Sequence, residues 1–366
     1  MYRLTPMRHL FAALALLVAL PSAGRAEEAV GHVSLGFGVD QRREAVAELA
    51  VETRRLFGRD VALSFSGRAS ASESAASLSL GAPGLTGGSP AVGLALGLGR
   101  VRGGGQVPFD VTRMQGDVVL SWHGVAGGDL DLRFGARRAD VDAAAGVTSV
   151  LVTADAGDRS ALSAGAVWTR AFSAAGGTSG RVGLLGEVLS TSDGRTVTRG
   201  AISFGMETAP VGPAVFRLNT RAGAVTASGI GTRIDERSFL GSDALRGFAF
   251  AGIGPRDLAT GQSEALGGNT FVAAQFEMAF PDRIALGGLT PAAFLDVGSV
   301  WGLDRTAGGP GGANPVDDSL IWRASVGLSV GYAFDGGQLD LSVAHPLEKA
   351  AYDRTETLQI SFRTRF

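Results

Sequence analysis

In the stretch FLGSDALRGFAFAGIGPRD, from Phe239 to Asp257, Arg246 stands between Leu245 and Gly247 in a chain that elsewhere alternates small apolar and polar residues. A guanidinium stays ionised and presents a planar fork of donors, so the chemistry open to Arg246 is charge-assisted hydrogen bonding to carboxylates. Taken alone, the triplet also describes an ordinary solvated loop arginine. Other reactive constellations are sparse. Beyond the leader the histidines are His32, His123 and His345, widely separated and without metal-ligand spacing, which predicts wall or interface positions and no metal. No GxSxG nucleophile elbow occurs. GLGRVRGGG (97–105) lacks both the glycine spacing and the following helix of a phosphate-binding fingerprint, so it reads as a strand entering a loop. The expectation is a protein that is not an enzyme and carries no cofactor.

The element that sets the compartment comes first. Arg3 and Arg8 precede the apolar run Leu10–Leu20, and Pro21 and small residues follow as far as Ala26. This is the pattern of a cleaved secretory leader, and its apolar run is too short to span a bilayer as a helix. Residues 1–26 are therefore read as a signal peptide and 27–366 as the mature chain. No later stretch offers the roughly 20 apolar residues of a membrane helix. The sequence holds no cysteine, which removes disulfides, thiolate metal sites and lipid attachment at a lipobox. Its 33 basic and 35 acidic residues, three of the basic ones in the leader, give nothing to attract a nucleic acid.

The 55 glycines could suggest a flexible low-complexity chain, but periodicity overrides that reading. From residue 31 onward, segments of roughly ten residues alternate with period two between turn signals, as lipid outside and water inside a barrel require. Val33, Leu35 and Phe37 share one face of GHVSLGFGV while Ser34, Gly36 and Gly38 share the other. Seventeen segments qualify. A single-chain bacterial barrel with both ends in the periplasm needs an even number, so sixteen are expected, with the excess sought in the 147–155 and 160–172 pair. The fold class is thus all-β, a transmembrane antiparallel barrel.

A soluble β-sandwich also alternates. The last segment discriminates: Leu358, Ile360, Phe362 and Phe366 share a face with Thr364, and the chain stops on an aromatic. Such an apolar face and terminal ring suit a strand at a membrane interface. By the same alternation Glu277, with Ala273 and Gln275, faces the lumen from segment 269–280. Asp296 faces it from 291–301, with Phe294 and Gly298.

The stretch 239–257, the following GGNTFVAAQFEMAFPDRIALGGLTPAAFLDVGSVW and the terminal LQISFRTRF resemble the BamA/TamA-type outer-membrane assembly barrels, the bacterial surface antigen family. The likeness is close over 237–366 and weaker over 30–230. It implies that Arg246, Gly247 and Phe248 are the family's Arg-Gly-Phe/Tyr motif, carried on a long sixth extracellular loop that folds back into the lumen. It also implies that Glu277 and Asp296 are its lumenal acids, with Arg246 as a tether between them and Gly247 permitting the turn. The family usually carries periplasmic POTRA domains before the barrel. Here strand patterning starts within a few residues of Glu27, so none is expected.

The resemblance implies an outer-membrane barrel of a Gram-negative bacterium that assists insertion or translocation of protein or lipid at a weakly paired seam between its first and last strands. Its expected partners are outer-membrane lipids, unfolded outer-membrane or secreted proteins, and a separate periplasmic protein. A passive or plugged pore is the alternative; a third reading is an interaction barrel displaying loops 227–268 and 302–320.

Overall fold

Period-two segments become the staves of a closed wall. The computed structural model describes residues 31–39, 44–53, 59–82, 90–103, 107–174, 176–259, 263–281, 288–304, 316–334 and 337–365. Residues 1–26, read above as a signal peptide, and the terminal Phe366 lie outside them, as does the side chain of Phe362.

The strands are β1 (Gly31–Val39), β2 (Ala45–Thr53), β3 (Ala62–Ala69), β4 (Glu73–Ala82), β5 (Ala91–Val101) and β6 (Phe109–Val125). After these come β7 (Gly128–Ala143), β8 (Gly157–Ser173), β9 (Ser179–Thr191), β10 (Thr196–Glu207), β11 (Val215–Ala227), β12 (Arg256–Asp257) and β13 (Glu264–Ala265). The last are β14 (Thr270–Ala279), β15 (Leu289–Trp301), β16 (Val316–Asp317), β17 (Arg323–Phe334), β18 (Gly337–Glu348) and β19 (Leu358–Arg365).

Sixteen of them form one antiparallel barrel in chain order, closed by β1 against β19. The short β12, β13 and β16 form a separate three-stranded sheet, which joins loop 228–269 to loop 302–322. β11 therefore pairs with β14, and β15 with β17. Among the described residues the staves differ in length: β1 to β5 run 8 to 11 residues, whereas β6 to β8 run 16 or 17.

The alternation sorts the faces. On β5, Val92, Leu94, Leu96 and Leu98 are exposed outward in strict alternation with more covered neighbours. Each gains about 1.5–3 kcal/mol on leaving water for hydrocarbon. Leu358 and Ile360 on β19 are exposed in the same sense.

The excess segment is 147–155. It was read as a strand, and it instead holds α1 (Val150–Ala154). Its β-branched residues favour a strand, but the Val152 amide donates to the Ser149 hydroxyl at 3.4 Å, which caps a helical turn. Val152 is thereby buried against Ile234 and Leu266 of loop 228–269. Packing between loops outweighs local preference here. The neighbouring 160–172 segment is wall, within β8.

Loop 228–269 fills part of the lumen. Ala244, Leu245 and Phe248 are fully buried against Ala273 of β14 and Val300 of β15. An apolar plug of this kind needs its polar backbone tied down, and loop 349–357 supplies partners: the Ala249 amide donates to the Arg354 carbonyl at 2.9 Å.

Candidate functional site

β14 and β15 pair so that Gln275 lies opposite Asp296 and Glu277 opposite Phe294. Glu277 and Asp296 are thus diagonal neighbours on the inner face, roughly 7–8 Å apart along the backbone, a gap that suits one guanidinium. Arg246 occupies it. Its Nε donates to Asp296 Oδ2 and its Nη2 to Asp296 Oδ1, each at 2.8 Å, while its backbone amide donates to Oδ2 at 2.9 Å. Nη1 donates to Glu277 Oε2 at 2.8 Å. The guanidinium carbon also lies 3.6 Å from the centre of the Phe294 ring, within cation–π range.

Burial decides the weight of these bonds. Asp296 is fully buried, and the Arg246 side chain is 17% exposed. At an effective dielectric near 20, a charge pair about 4 Å apart is worth about 4 kcal/mol before desolvation is subtracted. Three bonds from one residue to one carboxylate satisfy most of its lone pairs, which is what buried charge requires.

Gly247 has φ +94°, and a Cβ there would sit 3.0 Å from the Ala344 Cβ and 3.3 Å from the Ser325 Cβ. Any side chain would be strained twice, by conformation and by crowding. Phe248 is fully buried and forms an isolated antiparallel bridge with Thr355. The structure thus brings together Arg246, Gly247, Phe248, Glu277 and Asp296. Leu358 and Ile360 lie apart from them, on the outer face of β19.

Several contributors were not foreseen. Arg217 of β11 donates from Nη1 to Glu277 Oε1 at 3.0 Å and from Nε to Glu207 at 2.7 Å, so Glu277 is shared by two arginines. The Ser325 hydroxyl bonds the Arg246 carbonyl. The Glu356 amide donates to the Gly247 carbonyl at 2.9 Å, and Gln359 Nε2 to the Phe248 carbonyl at 3.2 Å. Phe294 is placed inward by parity, and the same parity could have flagged Ser325 and Gln359, but no sequence signal says where a loop backbone will lie. Above the site, Arg323 makes a bidentate pair with Asp353 at 2.9 and 3.0 Å, with both side chains buried. Beside it the Tyr352 hydroxyl donates to Asp317 at 2.9 Å. Burial, then that bond, push the phenol above its ordinary range.

Chemically the constellation is a clamp. No nucleophile and base face each other in it, and among the described residues no three His, Asp or Glu side chains gather to hold a metal ion.

Comparison with known proteins fixes the lineage. The family described as the Omp85 superfamily domain matches residues 33–366. The chain belongs to the Omp85 superfamily. A stretch of 155 residues, 42% of this Omp85 chain, is 35% identical to the outer membrane protein assembly factor BamA of Neorickettsia risticii (strain Illinois), but it spans only 20% of that relative. Among solved structures, BamA from Haemophilus ducreyi lacking POTRA domains 1-3 superposes with a TM-score of 0.76 at 16% identity, covering 93% of this chain and 71% of that one. CdiB from Acinetobacter baumannii gives 0.56 at 12% identity, covering 93% and 61%. The solved structures show a likeness of fold, while the Omp85 match and the BamA stretch indicate a Gram-negative outer-membrane location.

Proposed function

We propose that this Omp85 barrel assists the insertion or translocation of protein, or of lipid, at the outer membrane, with the client engaging the seam between β1 and β19. The observation that carries the reading is the seam's register. Among the described residues β1 meets β19 through four residue pairs, Gly36 with Arg365 to Val39 with Phe362, whereas it meets β2 through nine, from Gly31 with Thr53 to Val39 with Ala45. Each backbone hydrogen bond contributes about 0.5–1.5 kcal/mol net, so the seam is the least costly place to part the wall. A strand edge freed there offers unpaired amides and carbonyls to an incoming chain.

In this reading the loop clamp keeps the lumen filled while the wall parts. The BamA relative, named as an assembly factor, supports the assignment. Clients would be unfolded outer-membrane or secreted proteins, with outer-membrane lipids around the seam and a separate periplasmic protein delivering the client. The test is reconstitution in liposomes: the barrel should accelerate insertion of an unfolded outer-membrane protein. No acceleration, together with measurable solute flux, would replace this reading with a plugged pore, which the cavities left around the loop, one of about 290 Å³ beneath Arg246, favour.

A further inference from the structure

A second cavity, of about 420 Å³, lies between the inner faces of β6 to β10 and residues 233–238 of the lumenal loop. Its size is that of a small-molecule pocket. The wall side carries Arg113, Arg137, Arg159 and Arg199; Arg195, Arg233 and Arg237 close it. Arginine collects here because the odd positions of β6 to β8 and β10 point inward, and cross-strand pairing sets Arg113 and Arg159 in one row through Ala139, with Arg137 two residues along β7.

Some of these groups hold the loop in place. Arg195 forks onto Glu236 at 3.0 Å through both Nη1 and Nη2 and reaches Asp193 at 2.9 Å. Arg237 reaches Asp155 at 3.2 Å, Arg159 reaches Asp193 at 2.9 Å, and Arg137 pairs with Glu187. Arg113 and Arg199 donate to the carbonyls of Asp235 and Glu236.

Arg233 does not fit that pattern. It is 2% exposed, and its Nε has no hydrogen-bond partner. Its guanidinium makes one long contact, Nη2 to the Gly157 carbonyl at 3.5 Å, and no described carboxylate lies within ion-pair distance. Arg137 Nε is likewise buried and unbonded. A cation removed from water without a counter-charge is strongly destabilising, and a structural anchor would have a partner. Guanidinium forks match tetrahedral oxyanions and bind them in pairs. We infer that this cavity is a binding site for a phosphate-bearing ligand, held by Arg233 from the loop and by Arg137, Arg113 and Arg199 from the wall. Asp235, whose Oδ1 is buried in the cavity lining without a hydrogen bond, opposes that ligand.

The experiment titrates pyrophosphate into the purified full barrel in zwitterionic detergent and follows binding by calorimetry and by the shift in thermal unfolding. Saturable binding is expected, weakened at least about tenfold in Arg233→Gln and strengthened in Asp235→Asn. Absence of binding, or equal affinity in wild type and Arg233→Gln, overturns the site. If Arg233→Gln does not fold, Asp235→Asn decides: unchanged affinity there overturns it too. The source is separated in nanodiscs. Phosphatidic acid that displaces pyrophosphate assigns the site to a lipid headgroup, and displacement by soluble phosphates alone assigns it to a diffusible ligand.

Discussion

Gln359, the second residue of the last barrel strand, donates from Nε2 to the carbonyl of Phe248 at 3.2 Å. With the Glu356 amide bonding the Gly247 carbonyl, this joins the tip of the lumenal loop to the strand that forms one lip of the seam. Loop and seam are therefore one mechanical unit: a change in the loop's position is felt at β19.

Arg246 should dominate the stability of that unit. Arg246→Ala leaves Asp296 buried without its counter-charge, so the urea midpoint should fall by the equivalent of about 3–5 kcal/mol, read by heat-modifiable gel mobility. Adding Asp296→Asn and Glu277→Gln should cancel much of the loss, because the orphaned charges are gone. An additive result would show that the three residues do not act together.

Gly247→Ala should cost about 1–2 kcal/mol from its left-handed backbone alone, and more from the Ala344 contact. Gly99→Ala, on β5 with no atom within 4 Å of the added carbon, is the control and should melt within about 1 kcal/mol of wild type.

Since the chain has no cysteine, one engineered disulfide can lock the seam. Gly38 and Arg363 are register partners across it, and directly opposed antiparallel residues stand about 4.5–5.5 Å apart, within disulfide reach. Gly38→Cys with Arg363→Cys should cross-link on oxidation and abolish client insertion, and reductant should restore it. Full activity in the locked form would remove the seam from the mechanism.

Acid should strengthen the contact of the 3-10 turn Ile234–Glu236 with the wall. Burial, first, raises the Asp235 carboxyl above its ordinary value of 3.8, against the pull of Arg113 and Arg159 and with the repulsion of Glu236. A raised folded-state value means that the folded protein binds this proton more tightly than the unfolded chain does. Its contribution is complete below about 3.8 and is lost as pH rises through the higher folded value. Thermal unfolding of wild type should therefore gain stability from neutral pH downward relative to Asp235→Asn, which should melt higher at pH 7.

The barrel was legible because lipid and water impose a period of two, as Val92 to Leu98 illustrate, and sixteen of the seventeen alternating segments are wall. The clamp acids were legible from the same parity once Arg246 had been singled out. The helix at 150–154 was not, because Ser149 as a cap and Val152 as a buried contact acquire meaning only after Ile234 arrives from a distant loop. Gln359, Ser325 and Arg233 escaped for a related reason: their partners are backbone carbonyls, or no described carboxylate at all, and carbonyls leave no mark in a residue sequence.

The unequal staves carry a last consequence. At about 3.3 Å per residue and a tilt near 40°, the eight described residues of β19 rise roughly 20 Å, whereas the seventeen of β6 rise roughly 43 Å, against a hydrocarbon layer of about 30 Å. Acyl tails beside β1 and β19 must shorten or splay to match so low a flank, at a cost of fractions of a kcal/mol for every ångström. On the proposed seam reading the bilayer is pinched where the barrel unzips, and a client arriving there would have less oil to cross.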